Sequence, residues 1–286
     1  MPDEARPSVR GRRLGAELRR LRSVAGKTTE DAANALRCSR AKISRIETGV
    51  SGIRQLDLSV LLDLYDITEP EYRGTLEALA QGSKKQDWWE AYRDIVAPTY
   101  IDYMVLESDA RHIHHWATTL IPGLLQTEAY ARAVLEAVPA VVDAERVGQL
   151  VKIRMERQVL LTRTDPPRLQ AILWEPIVRC PVGGREAWRA QLGRIIDLAR
   201  LPHVTVQIVP LTAGVTAGAS GPFTTISFTD SPSPAAVYLE TMTSSHYFIE
   251  SDSELGGYGP VFESLKESAL SPEGSLELIQ VIAAEA

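Results

Sequence analysis

The sequence predicts an all-α helix-turn-helix domain followed by an α/β (α+β) domain with a mixed sheet. Three observations support this prediction: two short helices around a tight turn at residues 28–49, a polar stretch at 81–86, and strand-like periodicity from residue 168 onward. At 286 residues the chain is long enough for two domains with separate cores. We therefore expect a helical domain over residues 1–82 and a second domain over residues 83–286.

An amphipathic helix opens the first domain over residues 9–25 and ends at Gly26, because its apolar residues recur every three or four positions. A second helix with this spacing closes a small core near residue 65, and a polar helix follows over about 69–80. The apolar positions are Leu14, Leu18, Leu21 and Ala25 in the first of these helices, and Leu58, Leu61, Leu62 and Tyr65 in the second.

The segment at 28–49 has the capping signals of two short helices. Thr28 can cap the first helix, and Asp31 stands three positions later, where a capping-box acid reaches back to the cap amide. The three residues ending at Ser39 form the turn. Ser39 can then cap the second helix, which we expect to stop before Gly49.

The second helix of this pair presents an apolar side and a polar side. Ile43 and Ile46 share the inward side, whereas short and positively charged side chains face outward. A helix that reads the major groove needs this layout. The candidate DNA-binding residues are Thr29, Ser39, Arg40, Ala41, Lys42, Ser44 and Arg45. We expect Arg40 and Arg45 to read bases. Helix-turn-helix units also serve as plain structural corners, and the distribution of charge is the argument for DNA.

Charge is unevenly distributed along the chain. Residues 1–54 contain 13 Lys and Arg against 6 Asp and Glu, a net charge of +7, whereas the other residues contain 18 against 31, a net charge of −13. A basic segment attached to an acidic remainder indicates where a polyanion can dock. Arginines that precede the second helix could neutralise phosphates: Arg6, Arg10, Arg12, Arg13, Arg19 and Arg20. The alternative is a basic face that is merely solvated.

Residues 39–49 contain the run Ser-Arg-x-Lys-Ile-Ser-Arg-Ile-Glu-x-Gly. With its flanking helices, over about residues 9–66, this run resembles the helix-turn-helix domains of the Cro and phage-repressor (XRE) family. The resemblance implies DNA binding, and it implies that Arg22 on the first helix pairs with Glu47. Arg37 stands where the family usually has a turn glycine, which costs little if that residue keeps a right-handed conformation.

The second domain is expected to combine helices with strands. Helices are predicted over about 101–118, 128–137, 143–161, 186–199 and 259–269, with a last helix from Pro272 to the C-terminus. Strands are predicted over 168–173, 204–209, 223–228 and 236–240, with a turn at 230–234. Thr127 and Asp143 are the candidate caps of two of the helices. A strand-helix-strand order with later neighbouring strands implies a mixed sheet carrying helices.

Several motifs occur together in the second domain: Ile-Pro-Gly-Leu-Leu-Gln-Thr at 121–127, Arg-Gln at 157–158, Val-Thr-Val-Gln-Ile-Val-Pro at 204–210, Ser-Gly-Pro-Phe at 220–223 and Val-Tyr-Leu-Glu-Thr at 237–241. With them, residues 86–280 resemble an actinobacterial domain of unknown function that follows an XRE domain in many regulators, some of them antitoxin-like. The resemblance implies a transcription regulator that is often associated with a small companion protein. It implies no ligand and no catalytic residue.

A catalytic or metal site has little support in the sequence. Ser220, Asp230 and His246 follow one another in hydrolase order, but Pro222 stands where a nucleophile elbow needs glycine. The surrounding glycines are better explained as a mobile loop at 212–222, which is a candidate partner contact. Three histidines share a predicted helix with no cysteine or carboxylate to complete a metal cage: His112, His114 and His115. We expect no catalytic residue, no cofactor and no metal.

Three functions follow from these observations, in order of preference. The first is a sequence-specific DNA-binding transcriptional regulator, a homodimer on double-stranded DNA, whose second domain dimerises and binds a partner or a small-molecule effector. The second is an antitoxin-like protein that binds and controls a small companion protein. The third is an enzyme with a DNA-binding anchor. Because no run of about 18 apolar residues occurs, we expect a cytoplasmic protein that does not bind a membrane.

Overall fold

The computed structural model describes residues 9–81, 88–138, 143–228, 235–240, 246–249 and 252–285. The chain divides into two compact units, Met1–Ala91 and Tyr92–Ala286. The domain boundary expected after residue 82 lies outside the described residues, as do the rest of the expected linker and the turn expected at 230–234. Within the described residues, no helix is long and apolar enough to cross a membrane.

The helices predicted for the first unit are confirmed. They are α1 (Val9–Val24), α2 (Thr29–Ala35), α3 (Arg40–Glu47), α4 (Gln55–Leu64) and α5 (Pro70–Gln81). A short 3₁₀ segment, Trp88–Tyr92, follows. The apolar sides of the helices meet in one core, in which Leu18, Leu58 and Leu62 are completely buried. Removing these side chains from water is the main force that holds the small domain together.

Four of these helices, α1 to α4, end with a residue in the left-handed conformation just past the last turn. These residues are Gly26, Arg37, Gly49 and Asp66, with φ angles of 64°, 50°, 74° and 58°. After α2, the amide of Cys38 donates to the carbonyl of Ala33 at 2.9 Å, which is the bond of a Schellman motif. The turn therefore keeps the backbone conformation of a glycine, so the condition under which replacing that glycine costs little, a right-handed Arg37, is not met.

The second unit contains eight helices and six strands among the described residues. The helices are α6 (Pro98–Asp109), α7 (Glu128–Glu136), α8 (Ala144–Arg157), α9 (Glu175–Arg179), α10 (Arg185–Leu198), α11 (Asp252–Leu255), α12 (Tyr258–Ser268) and α13 (Pro272–Glu285). The strands are β1 (His112–Ala117), β2 (Arg168–Trp174), β3 (Val204–Val209), β4 (Phe223–Ser227), β5 (Ala236–Glu240) and β6 (His246–Ile249). As expected, Thr127 and Asp143 cap α7 and α8. The sequence does not predict α9, α11 or β6, which are only four or five residues long.

The strands form one mixed sheet in the order β3-β2-β1-β4-β5-β6, which confirms the predicted fold class. β3, β2 and β1 run parallel, and the other neighbours are antiparallel. Tyr103 of α6 stacks on Tyr238 of β5 with ring centroids 4.0 Å apart, and Phe262 of α12 stacks on His114 of β1 at 4.4 Å. The strand registers put His114 level with Val237, so these two contacts lie on opposite faces. Helices therefore cover both faces of the sheet.

The helix expected over residues 101–118 is wrong in its second half. α6 ends at Asp109, and the next residues form β1, which pairs with β2 on one side and β4 on the other. Both partners lie far along the chain, so the pairing that makes this segment a strand is not visible in its local sequence. Consequently the histidines do not share a helix: His112 and His114 point to one face of the sheet, and His115 points to the other.

A buried ion pair joins α6 to α8. Arg157 donates to both carboxylate oxygens of Glu107, at 2.9 and 2.7 Å, and these side chains are only 7% and 2% exposed. The guanidinium also donates to the hydroxyl of Tyr100 and lies over the ring of Tyr103. Because removing one partner would leave a buried charge uncompensated, the arginine of the Arg-Gln motif has a structural role.

Three buried glutamines hold the turn at 121–127. The side-chain amide of Gln126 donates to the carbonyl of Ile121 at 2.6 Å. Gln158 donates to two further carbonyls of the turn, at 2.9 and 2.7 Å, and Gln191 of α10 donates to another at 2.8 Å. Buried carbonyls need such partners, so the motif is explained by the architecture of the unit.

The glycine-rich loop consists of two short 3₁₀ segments, Leu211–Ala213 and Ala217–Ser220. Gly218 is buried, and its carbonyl accepts a hydrogen bond of 2.9 Å from the indole of Trp116. A β-carbon at this position would lie 2.3 Å from the indole nitrogen. The loop expected to be mobile is therefore fastened at its centre, and Gly218 is required for space.

Candidate nucleic-acid interface

Side-chain caps fix the starts of α2 and α3. The hydroxyl of Thr28 accepts from the amide of Asp31 at 3.1 Å, and the Asp31 carboxylate accepts from the Thr28 amide at 2.7 Å. The Thr28 hydroxyl also donates to this carboxylate, at 2.7 Å, and together with the bond from the Thr28 amide it holds the pKa of Asp31 below its usual value. The hydroxyl of Ser39 accepts from the amide of Lys42 at 3.2 Å. Both caps predicted from the sequence are confirmed.

Two isoleucines anchor α3 to the core. Ile43 is 1% exposed and Ile46 is 3% exposed, as their spacing predicts. Gly15 lies where α1 crosses α3, and a β-carbon there would be 2.4 Å from the carbonyl oxygen of Ile46. Gly49 adopts a φ of 74°, and a β-carbon there would be 2.5 Å from the amide nitrogen of Arg12. Sequence reasoning missed Gly15, although a glycine inside an amphipathic helix is a signal of such close packing.

The ion pair implied by the family resemblance is present. Arg22 of α1 donates to both oxygens of Glu47 at the end of α3, at 2.7 and 3.0 Å. The two side chains are only 14% and 8% exposed. A further hydrogen bond of 3.1 Å runs from Arg22 to the carbonyl of Lys27. The hydrogen bond to Glu47 raises the pKa of Arg22, and this bidentate contact fixes α3 to α1.

The outward side of α3 carries most of the predicted contacts. Arg40, Ala41, Ser44 and Arg45 are all exposed on this helix. Arg40 lies 3.4 Å from the carboxylate of Glu30 in a pair that is open to solvent. Within the part of the chain that the structure describes, the guanidinium of Arg45 has no protein partner. Arg45 is therefore available to a ligand without first giving up an ion pair.

Lys42 differs from Arg40 and Arg45 because it is only partly exposed and is paired with a residue of α4. Its ammonium lies 3.7 Å from the carboxylate of Asp57 on α4, and its side chain is 35% exposed. Asp57 is shared with Arg54, at 3.5 Å. The sequence does not reveal this contact, since it joins two helices whose relative placement depends on the core.

The N-terminal ends of α2 and α3 lie close together, because the contact between Glu30 and Arg40 joins their first turns. Thr29 is the first residue of α2, and Ser39 precedes α3. Helix N-termini carry free amides and a partial positive charge, which favour phosphate groups. The structure thus brings all seven predicted residues to these two helix starts and the exposed side of α3.

The arginines of the N-terminal segment are in different environments. Arg6 lies outside the described residues, and Arg10 lies over a tryptophan ring at 5.8 Å from its centroid. Arg20 is 2.7 Å from Glu17. Burial alone would raise the pKa of Glu17, but hydrogen bonds from Arg20 and a tyrosine hold it lower. Arg19 is exposed, and its guanidinium has no partner among the residues described.

Charged residues are also unevenly distributed within the first unit. Residues 55–81, which form α4 and α5, contain six acidic residues, one arginine and no lysine. The positive potential is therefore concentrated on the helices that precede them. A polyanion would approach the side of the unit formed by α1, α2 and α3.

The match to known families agrees with this geometry. Residues 100–281 match the model of a domain of unknown function, DUF5753, over more than half of the chain. The chain belongs to this family. Residues 13–73 match the model of a helix-turn-helix domain. No curated protein and no solved structure matches the chain.

These matches divide the chain as its two units do. The helix-turn-helix match begins in α1 and ends in α5, and it includes every candidate contact residue. The first unit is therefore a helix-turn-helix domain, an architecture that binds DNA. The DUF5753 match runs from α6 to α13 and includes the whole sheet, but its description names no activity.

Proposed function

We propose that the protein is a sequence-specific DNA-binding transcriptional regulator that inserts α3 into the major groove. The observation that supports this most directly is the exposed side of α3, where Arg45 has no partner among the described residues and Ile43 and Ile46 anchor the opposite side. The net charge of +7 over residues 1–54 supplies the attraction to phosphates. The starts of α2 and α3 also provide backbone amides that can donate to the phosphates of the duplex.

The contact residues divide into two roles. Arg40 and Arg45 read bases, and a bidentate contact with guanine O6 and N7 suits a guanidinium, at about 1–3 kcal/mol of discrimination for each. Lys42, Thr29 and Ser44 contact phosphates, which fix orientation without reading sequence. Because Asp57 already neutralises part of the charge of Lys42, its contribution is smaller than that of a free lysine.

The test begins with selection of preferred duplexes from a random pool by the full chain. Affinities of Arg45→Ala and Lys42→Ala are then measured for the preferred site and for each single-base variant of it. Arg45→Ala should flatten the preference at one or two positions. Lys42→Ala should weaken all duplexes alike and reduce the dependence on salt. Equal losses across all duplexes for both variants would contradict the assignment of Arg45 as a base reader.

The regulator acts as a homodimer in the cytoplasm. One reading helix contacts only a few base pairs, too few to select one site in a genome, whereas two copies on a two-fold operator double the number of bases read. The second unit is the larger and has a core of its own, so we assign stable dimerisation to it. A small-molecule effector could act through the same unit, and we propose no catalytic activity, cofactor or metal for it.

A second candidate function, an antitoxin-like protein that binds a small companion protein, is favoured by an exposed apolar surface. Trp174 at the end of β2 is 39% exposed, while Leu211 and Val215 after β3 are 56% and 93% exposed. β2 and β3 are neighbours, and the amide of Leu211 donates to Glu175, the residue after Trp174, at 2.8 Å. Trp174 and Leu211 therefore lie close together, and Val215 follows Leu211 by four residues. Exposed apolar side chains that lie close together mark interaction surfaces.

Val215→Asp tests this function more cleanly than deletion of the loop, because deletion would remove Gly218 and its contact with Trp116. Pull-down from the native cell by the wild-type chain should recover a small protein in stoichiometric amount. Val215→Asp should lose it, and Val281→Asp on α13, also an exposed valine, should retain it. Recovery of a metabolite without any protein would instead support an effector-controlled regulator.

A further inference from the structure

Two partly buried arginines lie beside the turn at 121–127 without an acidic partner. Arg154 of α8 donates to the side-chain oxygen of Gln126 at 3.0 Å, and Arg194 of α10 donates to that of Gln158 at 3.3 Å. Among the described residues, no carboxylate pairs with either guanidinium. Each guanidinium has five N–H donors and uses one of them in these contacts, so other donors remain for a ligand. We call Arg154 and Arg194 the arginine pair.

Buried groups fix the arginine pair at the turn. Gln126 and Gln158 are 2% and 8% exposed, and the side-chain amide of Gln158 donates to the backbone carbonyl of Gln126 at 2.7 Å. The two glutamines that hold the arginines are therefore joined to each other. The aliphatic stem of Arg154 lies over Gly123, where a β-carbon would be 4.0 Å from the Cγ and Cδ atoms of the arginine. Such preorganisation favours binding, because little side-chain freedom is left to lose.

The charge of the arginine pair is not balanced by its neighbours. The acidic residues nearest to it in sequence are Glu156, which accepts from the hydroxyl of Tyr92 at 2.9 Å, and Asp197, which accepts from Arg200 at 3.1 Å. Arg157, on the same helix as Arg154, is already neutralised by its buried ion pair. The chain after residue 54 carries a net charge of −13, so acidic side chains are abundant. Two positive charges nevertheless remain at this turn for an anion.

We propose that the arginine pair binds the phosphate group of a small molecule. The planar fork of a guanidinium matches the oxygens of phosphate, and a phosphate monoester carries a charge of about −1.5 to −2 at pH 7. That charge balances two arginines, whereas a single carboxylate balances only one. A long polyanion such as DNA would instead be repelled by the acidic surroundings. The inference rests on the proposed function, in which a small molecule acts through the second unit, and it names the chemistry of that molecule.

Calorimetric titration of the full chain with inorganic phosphate tests the arginine pair, with the ionic strength held constant by chloride. Arg154→Gln and Arg194→Gln should each weaken phosphate binding by at least about 10-fold, because each removes a charge-assisted contact. The matched control is Arg189→Gln, at an exposed arginine of α10, which makes the same change in net charge. It should bind phosphate like the wild type. Equal phosphate affinity in the wild type and in all three variants would overturn the inference.

Two further measurements separate the site from the fold and phosphate from other dianions. Arg154→Lys keeps the charge but loses the planar fork, so its phosphate affinity should lie between those of the wild type and Arg154→Gln. Its melting temperature without phosphate should match that of the wild type. Glycerol phosphate should bind at the arginine pair as inorganic phosphate does. If succinate, a dicarboxylate, binds there as tightly as phosphate, the assignment of a phosphate group is wrong.

Binding to duplexes distinguishes this inference from the proposed function. Without phosphate, Arg154→Gln and Arg194→Gln should select the same duplex as the wild type with the same affinity. Weaker binding of both variants to every duplex would show that these arginines contact DNA, and would overturn a small-molecule site. Phosphate binding that is indifferent to the arginine pair, with duplex selection intact, would contradict the inference alone. A chain that binds phosphate at the arginine pair but prefers no duplex would contradict the proposed function alone.

Discussion

Arg37 occupies a backbone conformation that glycine adopts without strain and that costs other residues roughly 1–2 kcal/mol. Its side chain is exposed, so nothing in the core requires an arginine there. Since glycine loses more chain entropy on folding, Arg37→Gly should raise the free energy of unfolding by about 1 kcal/mol or less. Amide hydrogen exchange in α2 and α3 of the full chain measures this change.

The control for Arg37→Gly is Arg45→Gly, inside α3, which should lower stability by about 1 kcal/mol because a helix interior disfavours glycine. A β-branched side chain at the turn, as in Arg37→Val, should also destabilise. If Arg37→Gly is destabilising instead, the turn does not adopt the left-handed conformation in solution.

Glu47 holds α3 through the bidentate pair with Arg22, and both side chains are largely buried. Glu47→Ala leaves the Arg22 charge without its partner, so it should destabilise the first unit by roughly 3–5 kcal/mol. The matched control is Glu30→Ala, which removes the exposed contact with Arg40 and should change stability by less than about 1 kcal/mol. Chemical unfolding of the full chain compares them, and equal, small effects would show that the Arg22 pair contributes little.

At the scale of elements, β1 makes the second unit sensitive to acid. Burial lowers the pKa of His114 to about 4, helped by neighbouring His112, and lowers the pKa of His115 to about 3, helped by Arg157. The unfolded chain binds these protons near pH 6.5, whereas the folded chain does not. The contribution of these histidines to the free energy of unfolding is therefore complete above about pH 6.5. It decreases as the pH falls toward 4, by about 1.4 kcal/mol per pH unit for each histidine.

The variant His115→Gln tests this sensitivity. Between pH 6.5 and 5, the free energy of unfolding of the variant should fall less steeply with decreasing pH. The difference in slope should correspond to about one fewer proton taken up per chain on unfolding. The hydrogen bond of 2.8 Å between His115 and Thr224 is lost or altered, so the comparison uses slopes against pH and not absolute stabilities. Hydrogen exchange of the β1 amides reports the opening of this unit. Identical slopes for the variant and the wild type would exclude His115 as a source of the acid sensitivity.

The elements also show how far local sequence determines this fold. α2 and α3 were predictable to within a residue because their caps at Thr28 and Ser39 are local hydrogen bonds. β1 was not, because its partners are supplied by segments that begin at residues 168 and 223. The features of the candidate site are also of two kinds, those that local sequence predicts and those that depend on packing. Exposure of Arg45 follows from helical spacing, whereas the contact of Lys42 with α4 depends on the packed core.

At the scale of the whole molecule, the distribution of charge assigns the two proposed functions to different parts of the chain. DNA meets the basic helices of the first unit, and the acidic second unit, which repels DNA, presents other surfaces to partners. Sequence patterns could reveal this division because net charge is a sum over residues and needs no structure. They could not reveal that the exposed side chains of Trp174 and Leu211 lie close together, since this arises only when β2 and β3 pair.

The proposed homodimer should require that the two half-sites of its operator lie on the same side of the DNA helix. Reading helices related by a two-fold axis lie about 34 Å apart, one turn of the duplex. Inserting about 5 base pairs between the half-sites turns one of them to the opposite side of the DNA, so the full-site affinity should fall to that of a single half-site. Binding assays on the intact and interrupted operators measure this, and sedimentation should show two chains on the intact one. A single chain on the intact operator, or affinity indifferent to the insertion, would contradict the dimer.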